Sequence, residues 1–323
     1  MKCHCCQSQE VKKFGSFSNR NRTVQRFQCL TCGKTFSESQ PLEGVRIESE
    51  KAAQVVAMLC EGVGIRAIGR LTGLNKNTVL NVLETAGQHC EELLNQRLVN
   101  LQVNDVQIDE VYSFVHCLEA NTHRNDPYHG EQYVFLAFER TSKLILNWEV
   151  GKRDGDTTQA FLQSLKRRVA GRFQLTSDGF HLYHDTRSVG VRGTFGNEID
   201  YGIEIKHYAQ TPNYGPYLTR RQNPVKLQWI KRIPKIGNPD CARMTVNHLE
   251  RQNLNIRLFN RRFTRKTLGY SKIMRNHRLA LALQIAHFNF CRVHSAHSQT
   301  PAQAAKLADH PWTVAELLTA TIQ

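Results

Sequence analysis

Val106-Gln107-Ile108-Asp109-Glu110-Val111 is the stretch on which the reading of the chain turns. It lies within residues 103–115, an extended run rich in Val, Ile and Phe, the composition of a strand. Asp109 therefore stands on a rigid platform. Glu110 adjoins it, but neighbours on a strand point to opposite faces, so the expectation falls on Asp109. Two more acids occupy suitable places. Asp178 lies in Leu175-Thr176-Ser177-Asp178-Gly179, at a strand end, and Glu250 lies in Asn247-His248-Leu249-Glu250-Arg251-Gln252-Asn253, on a late helix. Hard cations such as Mg²⁺ take oxygen ligands and keep positions open for phosphate and water. Two of them about 3.5–4 Å apart activate an attacking oxygen and stabilise a leaving one. Asp109, Asp178 and Glu250 are thus the expected catalytic residues and the ligands of two Mg²⁺ (or Mn²⁺) ions.

Working outward, residues 133–138 and 144–150 read as strands around Arg140-Thr141-Ser142-Lys143, a hairpin signal. Residues 157–169 form an amphipathic helix with Phe161, Leu162, Leu165 and Val169 inward. Short strands follow at 173–177 and 203–208, then a long helix at 245–263. This order is the ribonuclease-H-like plan: an α/β domain with a mixed sheet and flanking helices. Asn253 and Arg257 share a helical face with Glu250, and with Arg251 and Arg261 they are expected to contact DNA. A basic insertion at about 209–244, with Arg220, Arg221, Lys226, Lys231, Arg232 and Lys235 beside Trp229, interrupts the plan and can grip DNA. Asp126, Asp154, Asp156, Asp185 and Asp200 fall in apparent loops, where turn chemistry accounts for them. Leu279, Leu283, Ala286 and Phe290 give a later helix one apolar face to lay on the sheet.

The N-terminal part carries two small modules. Cys3-x-x-Cys6 and Cys29-x-x-Cys32 are chelating corners for one structural Zn²⁺, since four thiolates close a tetrahedron and leave no position for substrate. Phe14, Phe17, Phe27 and Phe36 can form the small core that the ion completes, and Cys5 is a spare thiol in the first corner. Ala52, Val55, Val56 and Leu59 then mark one helix, Ile65, Ile68 and Leu71 a short second one, and Thr72-Gly73-Leu74 a turn. Asn75 is a sound N-cap for a third helix with Val79, Val82, Leu83 and Ala86 inward. That is a helix-turn-helix plan, with Lys76, Asn77, Thr78 and Asn81 placed to meet phosphates or base edges. Residues 88–100 read as a helical linker. The expected domains are 1–40 (zinc-ribbon-like finger), 45–92 (helix-turn-helix), 100–296 (catalytic) and 297–323 (helical tail).

Across its 323 residues the chain has an ordinary 22% of charged side chains but a formal net charge of +15. Such an excess concentrates polyanions, nucleic acid first among them. Met1-Lys2-Cys3-His4-Cys5-Cys6 has no apolar core, so no secretory signal is expected. No apolar run approaches the ~20 residues of a membrane span. The expected location is the cytoplasm, at the nucleoid, where the ten cysteines stay reduced or metal-bound.

The chain resembles bacterial insertion-sequence transposases of the insertion-sequence-one type, in single-reading-frame form. The likeness runs nearly end to end. It is carried most specifically by Val106-Gln107-Ile108-Asp109-Glu110-Val111-Tyr112-Ser113-Phe114, Gln174-Leu175-Thr176-Ser177-Asp178-Gly179 and Leu249-Glu250-Arg251-Gln252-Asn253-Leu254. Arg262-Phe263-Thr264-Arg265, Asn289-Phe290-Cys291-Arg292-Val293-His294 and Thr300-Pro301-Ala302 extend it. The resemblance implies a DDE transposase with Asp109, Asp178 and Glu250 as its triad, and a zinc finger and helix-turn-helix that bind terminal inverted repeats. The partners it implies are element ends and target DNA, joined in a homodimer or larger synaptic assembly. Two alternatives share these features: a DNA-binding regulator without chemistry, and a nuclease of the same fold.

Overall fold

The structure, a computed structural model, describes the chain apart from residues 1–2, 4–5, 7, 20–21, 38–41, 43–44, 46, 124–125, 185–189, 210–226, 265–266 and 323. Cys5, Asp185, Arg220, Arg221, Lys226 and Arg265 lie outside the described residues.

Near the N-terminus β1 (Val11–Asn19), β2 (Arg22–Cys29) and β3 (Thr35–Ser37) pair antiparallel in that order. Phe27 stacks on Phe36 with ring centroids 6.0 Å apart, whereas Phe14 and Phe17 stay exposed. The expected four-ring core is therefore half formed, because a single-layered sheet has no second layer for its other face.

Three helices follow: α1 (Ser49–Cys60), α2 (Ile65–Thr72) and α3 (Lys76–Arg97). Gly73 ends α2 in the left-handed region at φ +71°, which costs glycine no steric penalty. The Asn75 side chain accepts a hydrogen bond from the Asn77 amide at 2.9 Å and so caps α3. α3 runs unbroken through 88–97, the segment read as a linker, because its buried face continues through Cys90, Leu93 and Leu94.

The sheet region comprises β4 (Leu101–Gln102), β5 (Asp105–Val115), β6 (Gly130–Glu139), β7 (Ile145–Gly151), α4 (Gly155–Arg168), β8 (Val169–Ala170), β9 (Gln174–Ser177), α5 (Gly190–Phe195), β10 (Asp200–Tyr208) and β11 (Leu227–Ile236). α6 (Asn247–Phe259), α7 (Met274–Phe290), α8 (Pro301–Ala304) and α9 (Val314–Thr319) complete the chain. The six-stranded sheet runs β11-β10-β9-β5-β6-β7. β5, β9 and β10 are parallel; β6, β7 and β11 are antiparallel to their neighbours. Of the acids read as loop residues, Asp154 caps α4 by accepting from the Thr157 amide at 2.9 Å, whereas Asp200 opens strand β10 and pairs with Arg172 at 2.6 Å.

α7 is apolar on more than one face. Leu279, Leu281, Leu283, Ile285 and Phe290 are all buried, as are the polar Asn276, His277 and Asn289. It packs along α3 and ties into β7, where Asn289 bonds both backbone groups of Ile145 (3.0 and 2.9 Å). One buried core runs from Leu42 to Leu318 across α1, α3, the sheet, α7 and α9, and β1–β3 contribute no residue to it among those described. No helix among the described residues is long and apolar enough to cross a membrane.

The chain leaves β5 on one side through β6 and β7, then returns through α4 to β9 and β10 on the other. The order reverses between β5 and β9, and beyond the carboxyl end of such a strand pair lies the crevice where open α/β sheets place their sites.

Candidate functional site

The pairing of β5 with β9 ends at Ile108 opposite Ser177. Asp178, the next residue, therefore comes level with Asp109. β5 runs on to Val115 paired with β6 on one side, while its β9-facing edge stays open from Asp109 until Val115 bridges to Ser271. Ser177 fixes the strand end: its hydroxyl donates to the Asp178 carbonyl at 2.9 Å and lies 2.8 Å from the buried Tyr201 hydroxyl. The Asp178 carboxylate accepts from the Phe180 amide at 2.8 Å.

At this open edge one oxygen each from Asp109, Glu110 and Asp178 lie within 4.8 Å of one another. Glu110 was expected to turn away. Its backbone does alternate, since its register partner Phe135 packs against Phe161 and Tyr183 on the α4 side of the sheet. Where β9 has stopped, however, the longer Glu side chain reaches the same rim. It is held there by Arg153, whose Nη2 and Nε donate to Oε2 at 2.9 and 3.2 Å and whose guanidinium lies 4.0 Å from the Phe180 ring centre.

The third expected acid stands apart. Glu250 is exposed on the first turn of α6, and Lys206 Nζ of β10 donates to its Oε2 at 2.6 Å. Lys206 also donates to Asn247 Oδ1 at 2.7 Å. The helix itself sits over Asp109. The Leu249 amide donates to the buried Gln107 Oε1 at 3.0 Å, and Asn253 Nδ2, one turn beyond Glu250, donates to Asp109 Oδ2 at 2.8 Å. Thus Asp109 and Asp178 meet, Glu250 lies on the neighbouring turn, and Glu110 joins the cluster. Asn253, expected at DNA, is instead buried against Asp109, because its amide completes the carboxylate's hydrogen bonding.

The electrostatics fit the geometry. Burial, then the charges of Asp178, Glu110 and Glu250, push the Asp109 carboxyl up to about 7. Burial, followed by the Asp178 charge, also raises Glu110 against the opposing pull of Tyr183 and Arg153. Crowded carboxylates facing one another in this way are relieved by a cation, and an all-oxygen donor set suits a hard one. The buried Asn253 Oδ1 has no hydrogen-bond partner among the described residues, which adds another oxygen to the same wall. The cluster therefore fits a divalent ion.

The cysteines converge as their spacing requires. Cys3 Sγ lies 3.6 Å from Cys32 Sγ and Cys6 Sγ 3.5 Å from Cys29 Sγ, and all four sulfurs lie within 4.8 Å of one another. Zn–S bonds of about 2.3 Å in a tetrahedron put sulfurs about 3.8 Å apart, so the four fit a zinc ion. The Cys32 amide, directed at Cys29, leads the effects that bring that thiol down to about 6.

Lys76, Asn77 and Asn81 are exposed at the start of α3, with Thr78 partly covered. Arg251 is exposed on α6 and Arg257 is half-buried two turns beyond Asn253's neighbour Glu250. Arg261 lies away from the carboxylates, beside Gly64 at the start of α2. Sequence reasoning missed Glu110, Arg153 and Lys206. Only the point where β9 stops, set by strand register, reveals them.

No family model matches the chain, and no curated protein matches it. Among solved structures, one that overlaps is a cryo-electron-microscopy structure of a piggyBac transposase synaptic complex with hairpin DNA: 8% identity, TM-score 0.39, covering 88% of this chain and 73% of that one. Another is a crystal structure of a pre-cleavage Mos1 transpososome: 13% identity, TM-score 0.19, 51% of this chain and 61% of that one. Such scores fall short of a common fold, so the functional reading below stands on the residues of this chain.

Proposed function

We propose that the chain is a metal-dependent DNA transposase of the insertion-sequence-one type, with a ribonuclease-H-like sheet carrying Asp109, Asp178 and Glu250. The observation that carries the reading is the meeting of Asp109 and Asp178 at the open end of β9, where burial and mutual repulsion raise the Asp109 carboxyl. The strand order, with antiparallel β6 and β7 on one side of β5 and parallel β9 and β10 on the other, supports the same plan.

Two bound Mg²⁺ or Mn²⁺ ions would supply charge neutralisation at a phosphodiester and an activated oxygen for its in-line displacement. Asp109 and Asp178 would hold them from the strand ends. Glu250 would complete the set by exchanging Lys206 for the ions. Asn253 keeps the Asp109 carboxylate oriented, and Gln107 keeps α6 over it. Arg153 neutralises Glu110 and leaves it a supporting role. The four cysteines hold one structural Zn²⁺. Lys76, Asn77, Thr78 and Asn81 read element ends, while Arg251, Arg257 and Arg261 meet backbone phosphates. At such a site water would displace the 3′ oxygen of the element-end phosphodiester, leaving a 5′ phosphate on the flanking strand, and the freed 3′ hydroxyl would then displace a 3′ oxygen from a target phosphodiester. Joining two ends calls for a homodimer or larger assembly, working at the nucleoid in the cytoplasm.

The test is a strand-cleavage and strand-transfer assay with Mg²⁺ on DNA carrying the repeats that flank the coding region. Asp109→Ala and Glu250→Gln lose cleavage and joining yet retain end binding, whereas Glu110→Gln keeps both steps. Joining by Asp109→Ala would defeat the assignment, and cleavage without joining by the unaltered protein would reduce it to a nuclease.

A further inference from the structure

A polar cavity of about 480 Å³ lies at the end of β5 away from the carboxylate cluster. Three segments distant in sequence build it. Arg140, Thr141 and Lys143 come from the β6–β7 turn, Arg243 and His248 from α6 and its approach, and His297 from the loop after α7. Among the described residues no carboxylate lines it. The nearest acids are already engaged: Asp105 is buried and paired with Arg140 at 3.2 Å and Arg243 at 3.3 Å, and Glu139 accepts from the Ser142 hydroxyl at 2.6 Å. Three permanent cations therefore surround the cavity against two carboxylates, Asp105 behind the arginines and Glu139 behind Lys143.

The donors are oriented as well as charged. Lys143 Nζ gives one hydrogen to the Arg140 carbonyl at 2.6 Å, which leaves two. His297 Nε2 lies 3.1 Å from the Ser142 carbonyl. A carbonyl only accepts, so Nε2 carries the proton. Nδ1 is then left buried without a hydrogen-bond partner among the described residues. That Nδ1 is an acceptor, which a water bridging to a phosphate oxygen would satisfy. Guanidinium, ammonium and hydroxyl donors around one concave site suit a phosphate group.

The position gives the phosphate a source. Asp105, behind the cavity, and Asp109, at the carboxylate cluster, are four residues apart on β5, hence about 13 Å. α6 spans the two places, with His248 at the cavity and Asn253 at Asp109. We propose that this cavity is a subsite for a DNA backbone phosphate, a few nucleotides from the phosphodiester at the carboxylates. The proposal rests on the reading of the chain as a DNA-processing enzyme and adds to it how the strand is held along α6.

The experiment measures binding of the full-length protein to a random-sequence duplex across a salt series, because backbone contacts carry no sequence information. Lys143→Gln weakens binding and lowers the slope of log affinity against log salt by about 0.9, the loss of one phosphate contact. Lys143→Arg, at the same left-handed backbone position, keeps both. Calorimetric titration with inorganic phosphate shows binding by the unaltered protein and none by Lys143→Gln. An unchanged salt slope in Lys143→Gln overturns the proposal. So does loss of inorganic phosphate binding with DNA binding intact, which would mark a free-anion site. Asp109→Ala keeps the full slope. A protein that cleaves nothing yet loses slope in Lys143→Gln would keep this subsite and lose the catalytic reading; one that cleaves with an unchanged slope would do the reverse.

Discussion

Asp109 keeps its proton up to about 7 because burial first, and the charges of Asp178, Glu110 and Glu250 next, oppose ionisation. In the unfolded chain the same group titrates near 3.9. Below about pH 4 it is neutral in both states and alters nothing. Between about 4 and about 7 the unfolded chain releases the proton while the folded one retains it, so folding stability falls as pH rises through that window. At about 1.4 kcal/mol per unit the loss reaches at most about 4 kcal/mol, less because the adjoining Glu110 carboxyl, also raised by burial, is coupled to it. A cation in the cluster removes the cause. Thermal melts without divalent ions should therefore show a midpoint lower at pH 8 than at pH 5, with Mn²⁺ restoring it at pH 8. Asp109→Asn should melt higher than the unaltered protein at pH 8 and respond little to Mn²⁺. An Asp109→Asn protein with an unchanged pH profile would assign the effect to other groups.

α6 hangs on the sheet by few polar contacts, of which the bond from the Leu249 amide to Gln107 Oε1 is fully buried. A helix leaves its first amides without intrahelical partners, and Gln107 supplies one from the strand beneath. Gln107→Leu conserves bulk but strands that amide in an apolar environment, at a cost of about 1–3 kcal/mol. Urea unfolding should show the midpoint drop, and metal affinity should fall with it as Asn253 loses its register on Asp109; a drop in neither would mean α6 is held by packing alone. The elements themselves were largely legible, since β5, β6, β7, α4, β9 and β10 all fall on runs whose apolar period was read correctly. β11 was not. Its solvent-facing Lys231, Arg232 and Lys235 and its Pro234 are marks of an edge strand, which hide the alternation of a buried one. α7 was read as apolar on one face because its buried Asn276, His277 and Asn289 look like surface residues until their partners are known. The meeting of Asp109 and Asp178 could be anticipated from their elements. The company of Glu110 and the hold of Lys206 on Glu250 depend on where β9 ends relative to β5 and β10, which no local pattern records.

The unbroken core makes the helical segment before β4 and the sheet a single cooperative body. α3 and α7 approach so closely at Gly87 that a methyl there would stand 2.6 Å from the Leu279 carbonyl oxygen and 2.7 Å from its Cβ. Alanine in a helix gains about 1 kcal/mol over glycine. Here the obstruction is backbone, so the helices must separate, and overpacking costs typically about 1–3 kcal/mol; for Gly87→Val, bulkier and β-branched, the steric cost dominates. The loss should reach the sheet as well as the helices. Trp148 in β7 and Trp312, which stacks on Phe290 of α7, report the core by fluorescence, and helical circular dichroism reports α1, α3 and α7. In Gly87→Val both signals should shift to a lower midpoint together. A helical signal that melts first, with fluorescence left in place, would show two independently stable bodies. The cysteine-bearing sheet provides the internal contrast, because the described residues of β1–β3 lend nothing to the shared core. Chelation of zinc should leave the common transition where it was while exposing the β1–β3 segment to protease.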